Sequence, residues 1–453
     1  MTPRRASERW KLSSICVYLF IVVIAVTVSF SVRLVGSLPV GEIILIPIAP
    51  FLIALRPRRV FKRGMVVIFV LMGIWLFGQV LTDIYRGTEA VDWMRGDAGI
   101  VFFAVDLACL AALLERNDRR KVVFLTGCAI GSLLSVRFQP TESTDVWKFG
   151  YSFGTILIVI LLSCYFFGRR RYMITGLLFA GITLVNLLFN YRSPVLFLLI
   201  VSVLVLPVIP ERIHRLQLLP RPGSIARIAV LVGMALTAAA GSSFIIHWAT
   251  SIGLAGEAAQ VKNLQQEESQ QGILLGGRPE IFVSSRAVMD SPILGHGSWA
   301  KDSKYVEMLN DIQVENGFQD VADPGAYGSG LIPTHSHLMS AWVYAGVLGA
   351  ILWGYIFWLV LKSTVLVSNL RPPLAPIYAW LFVSYLWAIP FSPFGSSDRM
   401  IEAATIVIIM DLLEFRTSDI RMPQWLRRRA WRRMPPRARL LSRRAVGGSF
   451  GFK

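Results

Sequence analysis

Apolar residues in this chain come in long runs separated by short, mostly basic connections. A helix that crosses a bilayer needs about 20 mainly apolar residues. Twelve stretches approach that length: 12–32, 38–55, 64–84, 98–114, 122–138, 151–167, 173–190, 194–209, 228–248, 335–361, 374–394 and 400–415. The pattern predicts an all-α, polytopic membrane protein. The expected organisation is a nine-span region over 1–248, a large polar loop over 249–334, a three-span region over 335–415 and a basic tail over 416–453.

Composition narrows the class. Of 453 residues, 54% are hydrophobic and only 16% charged, against about 25% charged in an ordinary soluble domain. A water-soluble enzyme and a disordered chain are both excluded. A formal charge of +18 would by itself suggest nucleic acid, but the basic residues are not scattered evenly. The connections 56–63, 115–121, 168–171, 212–227 and 362–371, with the two termini, hold 34 of the 46 Lys and Arg. The positive-inside bias puts these segments in the cytoplasm and the 249–334 loop outside. An even number of spans also requires both termini on one side.

The first apolar run lacks a small-residue cleavage site and reads as an uncleaved span. The tail, with twelve Lys and Arg from Arg416 onward, suits contact with anionic inner-leaflet lipid and not with nucleic acid. Cys16, Cys109, Cys128 and Cys164 all lie in apolar runs, which suggests neither a disulfide framework nor a thiolate metal site. No phosphate-binding G-x-x-x-x-G-K-[ST] loop is present, so ATP-driven transport by this chain alone is unsupported.

Three outward places hold polar residues at the membrane boundary. One is Gly277-Arg278-Pro279-Glu280-Ile281-Phe282, continuing through Arg286 to Pro292-Ile293-Leu294-Gly295-His296-Gly297. Another is Thr334-His335-Ser336-His337, leading to Gly346-Val347-Leu348-Gly349. The third is the turn Asn190-Tyr191-Arg192-Ser193. At these residues the chain resembles the O-antigen ligase and polysaccharide polymerase superfamily of bacterial envelope glycosyltransferases. That family has many spans and one large late outward loop. Its motifs are a Gly-Arg followed by an aromatic, a Pro-x-x-Gly-x-Gly, and a His some eleven residues before a Gly-x-x-Gly. Gly277, Arg278, Phe282, Pro292, Gly295, Gly297, His335, Gly346 and Gly349 fall in that order, and Arg192 fits a further Arg-containing turn. The chain departs from the pattern at Ser336, where many relatives have Asn, and at Phe282, where Trp is usual.

The resemblance implies a bacterial inner-membrane enzyme whose donor is a glycan joined through diphosphate to a polyprenol lipid. The acceptor is either another lipid-linked glycan, making a polymerase, or a lipid A core or protein, making a ligase. It also implies His335 as the base that deprotonates the acceptor hydroxyl, a task suited to neutral imidazole. Arg192, Arg278 and Arg286 are the candidates to hold the lipid diphosphate, because guanidinium stays charged and forks two donors onto phosphate oxygens. Nearby Arg charge is expected to depress the His335 pKa. No cofactor and no metal are expected, and direct displacement would invert the anomeric centre. A flippase for lipid-linked sugars and a scaffold are the non-enzymatic rivals.

Each residue also has a plainer reading. Arg192 could simply snorkel to headgroups, Arg278 could open a surface helix, and Arg286 could be solvated. Thr334 is the expected cap of span ten. His337, two residues beyond His335, points away from it on a helix and is expected to pack or hydrogen-bond nearby. Asp106 is an intramembrane acid and so a functional candidate by default, or else a partner for a polar group on another span. Arg399 and Glu402 are expected to pair at i,i+3 on span twelve. Trp342, Trp353, Trp358 and Trp387 read as interfacial or packing residues.

Overall fold

The computed structural model describes residues 3–33, 36–114, 116–138, 145–189, 191–206, 233, 278–315 and 330–421, with side chains described from 15 to 414. The expected ninth span, the first part of the long loop with Gly277, Asn190 and the tail beyond 421 lie outside the described residues. The chain divides into two units, Met1–Ile409 and Met410–Lys453. Everything below concerns the first.

The described residues are mostly helical. In chain order the helices are α1 Pro3–Thr27, α2 Val40–Leu55, the single turn α3 Pro57–Val60, α4 Arg63–Arg86, α5 Ala90–Leu114, α6 Asp118–Phe138, α7 Ser152–Gly168, α8 Tyr172–Leu188 and α9 Arg192–Val205. After the undescribed stretch come α10 Glu280–Asp290, α11 Ser303–Glu315, α12 His337–Ala345, α13 Val347–Leu370, α14 Ala375–Phe391 and α15 Arg399–Arg421. A π-helical turn, Trp147–Tyr151, leads into α7. One feature departs from an all-α chain: β1 Ser31–Arg33 and β2 Ser37–Pro39 pair antiparallel, Val32 opposite Leu38.

Among the described residues, five helices are long and apolar enough to cross a bilayer: α4, α5, α6, Trp147–Gly168 and α13. The helices Ile15–Thr27, α2, α8, α9 and α14 are apolar but shorter. The fold is that of an α-helical membrane protein. α2 contains Pro47 and Pro50, residues more readily tolerated inside membrane helices than inside soluble ones. Much of the apolar surface faces outward: Leu19, Phe51, Val70, Phe77, Leu162 and Leu177 are all exposed, as lipid-facing positions require and as a soluble protein avoids.

The expected tenth span, 335–361, is broken. Gly346, with φ 65 and ψ −158, separates α12 from α13 in a backbone region essentially reserved for glycine. A loop fills the break. His296 N–H donates to the Val343 carbonyl at 2.6 Å, Gly297 N–H to Tyr344 at 3.1 Å, Val347 N–H to Pro292 at 3.0 Å and the Trp342 indole N–H to Pro292 at 2.9 Å. Backbone meets backbone here. A Cβ on Gly346 would overlap the Ile293 carbonyl, and one on Gly295 (φ 74) would lie 2.7 Å from Val343 O and Gly346 N.

The far side of the loop is bound to the end of α4. Thr82 Oγ1 donates to the Leu294 carbonyl. Arg86 forks two donors onto Gly295 O at 3.1 and 2.8 Å, and Ser298 donates from N and Oγ to Asp83 at 2.6 Å each. The glycine spacing is therefore architectural. Gly346→Ala is expected to cost more than about 3 kcal/mol, since the backbone conformation alone costs non-glycine residues about 1–3 kcal/mol and a clash with main chain is added. A fall in the thermal midpoint of the purified protein checks this; an unchanged midpoint would show that the loop is not held against α12.

The second half of the long loop folds onto the bundle. Val283, Ala287 and Val288 of α10, Tyr305 and Leu309 of α11, Ala300, Ile332 and Val343 of α12 make one buried apolar cluster. The cluster joins residues on both sides of position 334.

Candidate functional site

Chain alternation and side-chain bonds bring several segments to one end of the bundle: the α4–α5 turn, the π turn before α7, the α8–α9 turn, the start of α10, the strand-like approach to α12 and the α14–α15 turn. Away from these segments, two of the basic connections are tied to the bundle: Arg56 of 56–63 donates to the Ala112 carbonyl at 3.3 Å, and Tyr378 donates to Asp118 of 115–121 at 3.0 Å.

His335 lies just before α12. The helix is capped by Ser336, not by Thr334: Ser336 Oγ accepts Met339 N–H at 3.1 Å and donates to the Ile389 carbonyl at 2.9 Å. The cap must precede the first helical residue by one, and the helix starts at His337, which leaves Thr334 to bond Ser340 at 3.0 Å. Serine is among the strongest helix caps. With Ser336 tied on both sides, His335 is held half-buried at the bundle end. Burial lowers its pKa to about 4, with the Arg278 and Lys148 charges acting in the same direction. The imidazole is neutral at physiological pH and so available as a base or hydrogen-bond acceptor.

Arg278 immediately precedes α10 and is half-buried. Burial lowers its pKa, while Glu280 and Tyr191 offset this. Burial raises the pKa of Glu280 and of Tyr191, and the Arg278 charge lowers both. One guanidinium therefore lies within electrostatic reach of His335, Glu280 and Tyr191. Arg192 follows Tyr191 as the first residue of α9, half-buried in the same turn. Arg286 is differently placed. It is exposed on α10 and pairs with Asp290 four residues on at 3.2 Å; Asp290 also accepts from Lys304 and Tyr305, each at 2.8 Å.

Beneath this surface lies a buried ionic network. Arg399 forks onto Glu42 at 2.9 and 2.6 Å, both residues almost sealed from solvent. Glu402 meets His337 Nε2 at 2.5 Å, and His337 Nδ1–H donates to the Ser392 carbonyl at 2.6 Å. A carbonyl can only accept, so Nε2 and Glu402 share the remaining proton. The expected Arg399–Glu402 i,i+3 pair does not form, because each side chain points across the bundle to a buried partner on another helix. Asp106, fully buried, is an electrostatic neighbour of Glu42 and Arg399. His337 packs as expected, its ring 4.8 Å from Trp353 and 5.4 Å from Phe394. Trp353 itself is fully buried packing.

The third histidine goes elsewhere. His296 Nε2–H donates to the Ala287 carbonyl at 2.8 Å and its ring packs 5.6 Å from Tyr305. Among the described residues, no three His, Cys, Asp or Glu gather in a way that could hold a metal ion.

Sequence reasoning missed Lys148 and Glu42. Lys148 follows a Trp at the mouth of a span, which reads as an interfacial anchor, and Glu42 sits at a span start where an acid is ordinary. Neither carries a local signal of its partner. The arrangement offers a neutral imidazole within electrostatic reach of a half-buried guanidinium, a combination suited to removing a hydroxyl proton near an anionic group. In comparisons with known proteins, the chain matches no family model and no curated protein.

Proposed function

We propose that this protein is a bacterial inner-membrane glycosyltransferase that polymerises polyprenyl-diphosphate-linked glycan units into an envelope or exported polysaccharide. In this reading the basic connections face the cytoplasm, both termini lie there, twelve spans cross the membrane, and the His335 end faces outward. The observation that carries it is a neutral His335 within electrostatic reach of Arg278, which in turn acts on Tyr191 of the Tyr191-Arg192 turn.

The step balances simply. His335 takes the proton of the acceptor hydroxyl as its oxygen bonds to the anomeric carbon, and the bond from that carbon to the phosphate oxygen breaks. The lipid diphosphate leaves with the bonding pair, held by Arg278 and Arg192, and the anomeric centre inverts. Arg286 is committed to Asp290 on the exposed face of α10 and is given no part in the step. The buried network beneath holds α2, α12 and α15 so that the His335 segment cannot drift, and positioning of this kind supplies much of a catalyst's advantage.

The test is purified protein in lipid with its lipid-diphosphate glycan donor and no other acceptor, with products resolved by size. A ladder of longer lipid-linked glycans is expected. Donor binding without a ladder would move the assignment to a ligase with a different acceptor; no donor binding would end the glycosyltransfer reading.

A pH prediction follows from His335. Its folded pKa of about 4 lies below the ordinary value near 6.5, so turnover is expected to hold as pH falls through 6.5 and to decline only towards about 4. The unfolded chain binds this proton more readily than the native one. His335 therefore contributes stability in full above about 6.5, and that contribution is lost as pH falls towards about 4. A turnover midpoint near 6.5 would show the imidazole to be solvated.

A further inference from the structure

The π-helical turn before α7 shapes a cleft that the proposed chemistry leaves unused. It is shallow and open, holds about 400 Å³ and is lined by Asp145, Val146, Trp147 and Phe189. Trp147 and Phe189 lie nearly parallel, their ring centroids 4.8 Å apart at 17°. An extra residue in a helical turn displaces side chains outward, and such turns concentrate at functional sites.

The Trp147 ring is fixed and not merely parked. Its indole N–H donates to Asn186 Oδ1 at 3.3 Å, and Asn186, fully buried, donates in turn to the Ile182 carbonyl at 2.8 Å. In an interfacial belt the polar edge of Trp faces headgroups; here that edge is turned inward to a buried amide. Phe189 remains half exposed at 52% although a polar group sits beside it. Asp145 stands at the rim, its Oδ1 accepting Lys148 N–H at 2.9 Å.

These features select an occupant. A diphosphate finds no use for two stacked rings, and a lipid tail none for the carboxylate at the rim. A sugar ring matches both, with an apolar C–H face for the aromatic rings and hydroxyl donors for a carboxylate, which accepts several bonds at once. The cleft also lies within electrostatic reach of the candidate base, since Lys148 of the same turn acts on His335 and Asp145 acts on Tyr191.

We propose that the Asp145–Val146–Trp147–Phe189 cleft seats a sugar ring of the acceptor glycan, with the stacked aromatics beneath it and Asp145 taking hydrogen bonds from its hydroxyls. The proposal rests on the glycosyltransfer reading for the word acceptor, but the sugar site itself can be tested without turnover. Oligosaccharide released by mild acid from the lipid-diphosphate glycans of the producing cell is titrated onto the protein in nanodiscs, followed by saturation transfer from protein to sugar protons. Trp147→Ala is expected to weaken binding about tenfold, in keeping with the worth of one aromatic face, and Trp147→Phe, which also loses the bond to Asn186, to restore most of it, so that affinity tracks the ring and not the bond. In the transfer assay Trp147→Ala should raise the KM for acceptor and leave kcat within about twofold.

Equal binding by wild type and Trp147→Ala overturns the site. So does a loss confined to lipid-diphosphate binding, which would give the cleft to the donor. If wild type elongates no glycan yet binds the oligosaccharide in a Trp147-dependent way, the glycosyltransfer reading fails and the sugar site stands. If it elongates glycans with Trp147→Ala indistinguishable in KM, the site fails and the reading stands.

Discussion

Replacing Arg399 with alanine is expected to lower the stability of this protein by about 3–5 kcal/mol, the cost of stripping one partner from a buried ion pair. The magnitude follows from what is left behind. Glu42 is 1% exposed and accepts two bonds from Arg399, so the truncation strands a carboxylate where neither water nor another described cation reaches it. Asp106, an electrostatic neighbour of the same guanidinium, loses its compensation as well. Arg399→Lys keeps the charge and loses the fork, and should fall between wild type and alanine. The double variant Glu42→Gln with Arg399→Gln removes both charges and should recover much of the loss, since replacing a whole buried pair is far less costly than halving it. Thermal unfolding of the purified variants in one lipid composition measures all of these. If Arg399→Ala and the double variant unfold together at the wild-type temperature, α2 and α15 are not joined through this pair.

Truncating His335 to alanine is expected to leave stability and donor binding nearly intact and to reduce glycan transfer about 10²–10⁴-fold, the usual worth of a general base. The residue is half-buried at the bundle end and makes none of the bonds that fasten α12; Ser336 and His337 make those. Two histidines separated by one residue should therefore have opposite phenotypes. His337→Ala removes a ring that is 1% exposed, bonded at both nitrogens and packed on Trp353 and Phe394, and should lower the thermal midpoint. His335→Ala should lower turnover at an unchanged midpoint. Arg278→Ala should lower turnover too, but with weakened binding of the lipid diphosphate. Full turnover by His335→Ala would exclude it as the base and favour a carrier of lipid-linked sugar, which needs no proton acceptor.

Much of the fold was legible before any coordinates. Most of the apolar runs became helices close to their expected limits, since a run of apolar side chains signals its own burial or lipid contact residue by residue. The positions of Gly295 and Gly346 were also readable as special, although not what they serve, which is main-chain docking of the 292–297 loop into a helix break. The expected span over 335–361 failed at Gly346 because hydropathy does not register a backbone bend. Thr334 failed as the cap because Ser336 stands one place before the first helical turn.

The candidate site was legible in part. His335, Arg278 and Arg192 could be picked out by residue type and order, and Arg286 equally so, yet Arg286 is exposed and paired with Asp290 while Arg278, eight residues earlier, is half-buried and acts on His335 and Tyr191. The sequence by itself determined the material class, the helical runs and the segregation of basic connections, because each depends on properties that a residue carries alone or shares with near neighbours. Only the tertiary structure decided that Arg399 reaches Glu42 and not Glu402, that Glu402 reaches His337, and that Trp147 lies over Phe189. Those partners are 357, 65 and 42 positions apart, and which buried charge meets which is fixed by packing of whole helices against one another, where an unpaired group costs too much to persist.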